Sequence, residues 1–262
     1  METSDESIIL YGMESKFVRP VSIAISPGGN FVLIADLGSN ESPPTIIRIN
    51  LDVSGHVTNT IVIKDHRFTQ PEAVAISPDG KRAVVKNNTN DNIAEILSID
   101  LKSQEVTLVH RATAYKAGIG DITFSVNDDV FVTNYGGDNL VVFKSLNEPL
   151  PVIIVDYGKD TMICRHVSIS PDGSYALINC SGRDYTRIFQ IDLNSGHDEK
   201  ICYQEQNRWD MCFYGLDIST NGDCALIANC DGGNIIRAEL KQKKRPKNAQ
   251  KGIRRCSFPN SR

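Results

Sequence analysis

One pattern recurs five times along the chain and limits what it can become. VSIAISPGGNFVLIAD begins at Val21, AVAISPDGKRAVVKN at Ala73, DITFSVNDDVFVTN at Asp121, HVSISPDGSYALIN at His166 and GLDISTNGDCALIAN at Gly215. Their anchoring serines, Ser26, Ser77, Ser125, Ser170 and Ser219, lie 51, 48, 45 and 49 residues apart. Each copy reads as two short β-branched runs joined by a tight turn. Proline presets φ at that turn, Asp bonds nearby amides, and Gly accepts a left-handed backbone. A unit of this size, repeated in tandem, buries its apolar faces against its neighbours.

Further strand-like runs complete each unit. A third strand is expected at residues 45–50, 93–100, 139–144, 187–192 and 234–240, and a fourth at 58–64, 106–111, 152–157 and 200–204. Four short strands per repeat make a propeller blade. The fifth copy lacks a fourth strand, because the chain turns basic after Leu240. The opening IILYGMESKFVRPVSIAIS parallels IIVDYGKDTMICRHVSIS from Ile153. Residues 7–11 are therefore expected to supply the missing outer strand and remove an unpaired edge. The expectation is an all-β protein with a single β-propeller of five four-stranded blades over residues 7–240. An N-terminal outer strand closes it, and a basic, flexible tail follows at 241–262. A β-sandwich needs no such repeat, and an open solenoid needs capping units.

Of the 262 residues, 40% are hydrophobic but only 7% aromatic, so the core must rest on aliphatic side chains. No apolar run reaches the ~20 residues of a membrane-spanning helix, and the first residues lack a basic leader and long apolar stretch. The seven cysteines show no CxxC spacing. They read as reduced thiols of a cytoplasmic protein. Residues 241–262 hold nine Lys or Arg and no Asp or Glu, leaving 19 basic against 32 acidic residues in the body. Within that tail Lys243, Lys244, Arg245 and Lys247 resemble a nuclear-localisation signal, and an anionic partner would bind there through charge. The acidic body excludes a general affinity for nucleic acid.

VFVTNYGGDNLVVFK, from Val130 to Lys144, resembles the signature of the YVTN family of β-propellers, and the ISPDG turns at Ser77 and Ser170 fit it. The resemblance implies a WD-like propeller within the superfamily of lactonase-like and quinoprotein-amine-dehydrogenase-like propellers. It implies little about activity, because that superfamily holds hydrolases, cofactor-enzyme subunits and plain binding modules. Its better-known members have seven blades.

Function is expected on the loop-rich face, opposite the Pro-Asp-Gly turns, where strand ends converge on the central channel. The predicted rim comprises Arg19, Glu72, Asp121, Arg165, His166, Tyr214 and Asp217, with Trp209 as a contact anchor. A second ring, Asp36, Asn87, Asn134, Cys180 and Asn229, reads as backbone-capping residues. Glu72, Asp121, Asp217 and Asn134 are hard oxygen donors of the kind Ca²⁺ takes. Cys164, Cys180, Cys212 and Cys230 are thiols of the kind Zn²⁺ takes. Neither set has a metal-site spacing, and no catalytic motif is present, so no cofactor is assigned. The expected function is a monomeric, non-catalytic propeller that binds a protein or peptide. The alternative is a lactonase-like or metal-dependent hydrolase at the channel mouth, with His166 as general base.

Overall fold

A computed structural model describes residues 17–91, 93–112, 120–133, 139–144, 146, 151–156, 163–182, 185–194, 199–206, 213–229, 234–240 and 254–256. They form five four-stranded antiparallel sheets, the blades of a β-propeller. Blade one is β1 (Pro20–Ile25), β2 (Phe31–Asp36), β3 (Thr45–Leu51) and β4 (Val57–Ile63). Blade two is β5 (Gln70–Ile76), β6 (Arg82–Asn88), β7 (Ala94–Asp100) and β8 (Val106–Arg111). Blade three is β9 (Ile122–Phe124), β10 (Val130–Thr133), β11 (Asn139–Phe143) and β12 (Val152–Asp156). Blade four is β13 (Ile163–Ile169), β14 (Tyr175–Ser181), β15 (Tyr185–Asp192) and β16 (Glu199–Gln206). Blade five is β17 (Phe213–Ile218), β18 (Cys224–Asn229), β19 (Asn234–Glu239) and β20 (Arg254–Cys256).

The anchoring serines explain why each repeat folds back on itself. Ser77 Oγ donates to Asp79 Oδ1 at 2.6 Å and accepts from Arg82 N at 3.0 Å, bridging the turn. Ser170 does the same with Asp172 and Tyr175 N, and Ser219 with Asn221 and Cys224 N. Gly80 and Gly173 sit there at φ +69 and +71. The third copy, which lacks the glycine, places Asp128 at φ 67 instead.

Successive blades pack through their inner strands, β1 on β5, β5 on β9, β9 on β13 and β13 on β17. Each junction is an aliphatic core. Leu33, Ala35 and Ile46 of blade one meet Val74, Ala83 and Val85 of blade two, with Phe68 between them. Leu177 and Ile188 of blade four meet Ile218, Ala225 and Ile227 of blade five. No contact of comparable extent joins β17 to β1 among the described residues.

The outer edge of blade five differs from expectation. Arg254–Cys256 pairs with β19, setting Cys256 opposite Ile235 and Arg254 opposite Arg237. Residues 254–256 of the tail are therefore in a strand at this edge. Main-chain hydrogen bonds along an open edge select extended backbone rather than a particular sequence. Residues 7–11 themselves lie outside the described residues.

Candidate functional site

The rim is built where β-strands of different blades start and end near the channel. Blade two contributes the residue that the sequence reading passed over. Lys86 stands in β6, in the run AVVKNN, and its side chain is fully buried. Its Nζ donates to Glu72 Oε2 at 2.7 Å. Burial pushes the Lys86 ammonium below the ordinary lysine range, while the charges of Glu72 and Asp121 pull it back up. Asp121, at the start of blade three, accepts from Val167 N of blade four at 3.4 Å, and lies 3.5 Å from His166 Nδ1. Thr133 Oγ1 donates to the Arg165 carbonyl at 3.0 Å. Ser168 Oγ donates to Asp217 Oδ1 of blade five at 3.1 Å.

Three of the predicted rim residues, Asp121, His166 and Asp217, are thus drawn into contacts that tie blades three to five together, while Glu72 pairs with Lys86 within blade two. Arg165 is half-buried beside them, and its Nε is buried with no hydrogen-bond partner among the described residues. Arg19 is exposed, and its backbone amide is held by Asp36 Oδ1 at 2.8 Å. Tyr214 lies in β17. Trp209, Asn134, Cys212, Cys230 and the tail residues Lys243, Lys244, Arg245 and Lys247 lie outside the described residues.

The second ring caps backbone where it is described. Asp36 accepts from the amides of Val18 and Arg19, and Asn87 from those of Thr69 and Gln70, which fixes the entry to the inner strand of each blade. In blade four Cys180, paired in register with Cys164, forms a disulfide with it. A covalent bond there joins the same two strands that a carboxylate or amide joins in blades one and two. The reading of all seven cysteines as reduced thiols is corrected at these two positions. A disulfide also removes both thiolates from a four-cysteine zinc set. Register explains the error, since sequence spacing does not reveal that Cys164 and Cys180 stand opposite each other.

Chemically, the rim offers an imidazole–carboxylate pair and two guanidinium groups. Thr133 Oγ1 also accepts from Asp121 N at 2.8 Å, so its bonds run to backbone rather than to the imidazole. Among the described residues no group of three or more His, Cys, Asp or Glu is placed to hold a metal ion. No helix of the described residues is long and apolar enough to cross a membrane.

Comparison with known proteins agrees with this architecture. No family model matches the sequence, and no curated protein matches it. Many solved structures do. Hydrazine synthase of Kuenenia stuttgartiensis is 19% identical over 88% of this chain and 67% of its own, with a TM-score of 0.60. A chain of a nidogen/laminin complex is 12% identical, over 84% and 76%, with a TM-score of 0.64. Oligogalacturonate lyase of Vibrio parahaemolyticus is 13% identical, over 85% and 63%, with a TM-score of 0.59. The fold is a β-propeller. At such identities the likeness extends to the fold alone.

Proposed function

We propose that this propeller is a non-catalytic module that binds a protein or peptide across its loop-rich face. The observation that carries this reading is the Arg165 Nε, a buried donor without an acceptor among the described residues. Leaving such a donor unpaired costs about 1–3 kcal/mol. A carbonyl or carboxylate from a bound peptide would recover that cost, and Arg19 stands exposed on the same rim to engage a second acceptor. The contacts between blades give these groups a rigid base, which lowers the entropy lost on binding. The motif VFVTNYGGDNLVVFK supports placing the chain with YVTN-type propellers, in which binding modules occur beside enzymes.

The His166–Asp121 pair supports a second reading, a lactonase-like hydrolase with His166 as base and Asp121 orienting it. The basic tail has its own role, as a salt-sensitive contact for an anionic partner and a nuclear address within a cytoplasmic or nuclear protein. Capture of partners on immobilised protein tests the main reading. A partner held by the full chain should be lost on Arg165→Met or Arg19→Ala, with melting unchanged, and retained on His166→Gln. Capture indifferent to both arginines, together with lactone hydrolysis that His166→Gln abolishes, would replace it by the second reading. Alanine at Lys243, Lys244, Arg245 and Lys247 should remove only the salt-sensitive binding and any nuclear accumulation.

A further inference from the structure

Among the described residues two buried side-chain atoms lack a hydrogen-bond partner, Asn88 Oδ1 and Arg165 Nε. They are of opposite polarity, one an acceptor and the other a donor. Native folds keep few such atoms, because a buried polar group without a partner costs stability.

Asn88 ends β6, and the asparagine before it shows how such a side chain is ordinarily used. Asn87 Oδ1 accepts from the amides of Thr69 and Gln70. Its Nδ2 donates to the Arg67 carbonyl, Thr69 Oγ1 and Glu95 Oε2. Asn88 is only 4% exposed, yet its side-chain oxygen meets no donor. Lys86, two residues back on the same face, turns its ammonium to Glu72 instead. The fold does not require either group. Counted from the anchoring serines, blade one carries Leu37 at the place of Asn88 and Val21 at the place of Arg165.

Both groups border blade three at the loop-rich end. Asn88 stands opposite Ala94, on the face of blade two whose Ala94 and Ile96 pack on blade three. Arg165 lies near the start of β13, and its carbonyl accepts from Thr133 Oγ1 of blade three. With packed sheets about 10 Å apart, two such steps make roughly 20 Å. About six extended residues, at about 3.3 Å each, cover that span.

A small anion would satisfy Arg165 and leave Asn88 facing a further acceptor, and a cation would do the reverse. A peptide main chain carries an N–H and a C=O in each unit, and so answers both. Resting on the peptide-binding reading above, we propose that the partner is an extended segment recognised through its main chain. One of its N–H groups donates to Asn88 Oδ1, one of its carbonyls accepts from Arg165 Nε, and the segment crosses blade three. Such contacts select extended backbone more than side-chain sequence. Both atoms are out of contact with solvent, so the segment seats only as the rim opens locally, which slows association.

Peptides selected from a random library on the immobilised full chain are the probe. Asn88→Leu should weaken their binding about ten-fold or more, while melting rises because the unpaired oxygen is gone. Exchanging the peptide bonds of a selected peptide one at a time for esters removes single N–H groups. One ester should weaken binding to the parent about ten-fold and leave binding to Asn88→Leu unchanged. The ester series on the unaltered chain decides even if Asn88→Leu does not fold: no sensitive position would overturn the proposal. So would a lower melting temperature in Asn88→Leu, which would make Asn88 a structural residue. Peptides that need Arg165 but ignore Asn88→Leu and every ester would end main-chain recognition and leave peptide binding standing. Peptides indifferent to Arg165→Met, or no enriched peptide, would remove both readings.

Discussion

The junction between blades two and three and the seam between blades five and one are built from the same repeat, yet they end differently. At the first, Ala73, Ala75, Val84 and Ile96 meet Ile122, Val130 and Val132, and Lys86 reaches Glu72 within the field of Asp121. At the second, Ile23 and Leu226 carry the matching apolar side chains, and both are exposed. A blade thus forms from its own hairpins, whereas its faces are completed only by a neighbour. Local sequence builds each sheet, and adjacency decides which positions become core.

The largest expected effect lies at the closed junction. Glu72→Gln removes the carboxylate that the buried Lys86 ammonium donates to and should cost about 3–5 kcal/mol, whereas Lys86→Met, which removes the buried charge itself, should cost far less. Urea unfolding of both variants measures the difference. Equal losses would mean that Lys86 acts by packing rather than charge, and the contrast with the seam would reduce to apolar burial.

A middle-sized effect compares equivalent positions directly. Leu33→Ala should destabilise by about 2–5 kcal/mol through the cavity it leaves in the core between blades one and two. Leu226→Ala, half in water, should cost below about 1 kcal/mol. A large loss at Leu226 would show that the seam is closed in solution.

The smallest effect concerns the turns. Asp172 is held down to about 2 chiefly by the Ser170 hydroxyl, aided by Ser174, and Asp79 is lowered chiefly by Ser77. Because the folded value lies below the unfolded one, the stabilisation from Asp172 is complete above about pH 4 and fades as pH falls through about 2. Blade five carries the neutral Asn221 at that place, bonded to Ser219 at 2.8 Å. Carboxyl titration by NMR should show the Asp172 midpoint rise toward the ordinary range in Ser170→Ala. An unmoved midpoint would remove the serine as its cause.

Much of the fold was legible in the sequence because its signals are local. Strand alternation, the Pro-Asp-Gly turns and the spacing of the serines placed the five blades, and the four strands of blades one to four begin and end within a few residues of expectation. The rim was legible in part. Glu72, Asp121, His166 and Asp217 do lie at blade boundaries, but Lys86 sits inside an apolar run and carries no outward sign of pairing. The Cys164–Cys180 bond was missed for a similar reason: two residues sixteen apart in sequence meet only through the register of β13 on β14.

Five antiparallel sheets with aliphatic faces follow from neighbouring residues alone, since period-two patterning and turn chemistry act over a few residues. Which of those faces are buried, which charged groups pair, and which strand takes the last edge are set by the packing of blade on blade. Each of those outcomes depends on what stands opposite, often about fifty residues away in the repeat, and the free energy of burial or pairing exists only once that neighbour has arrived.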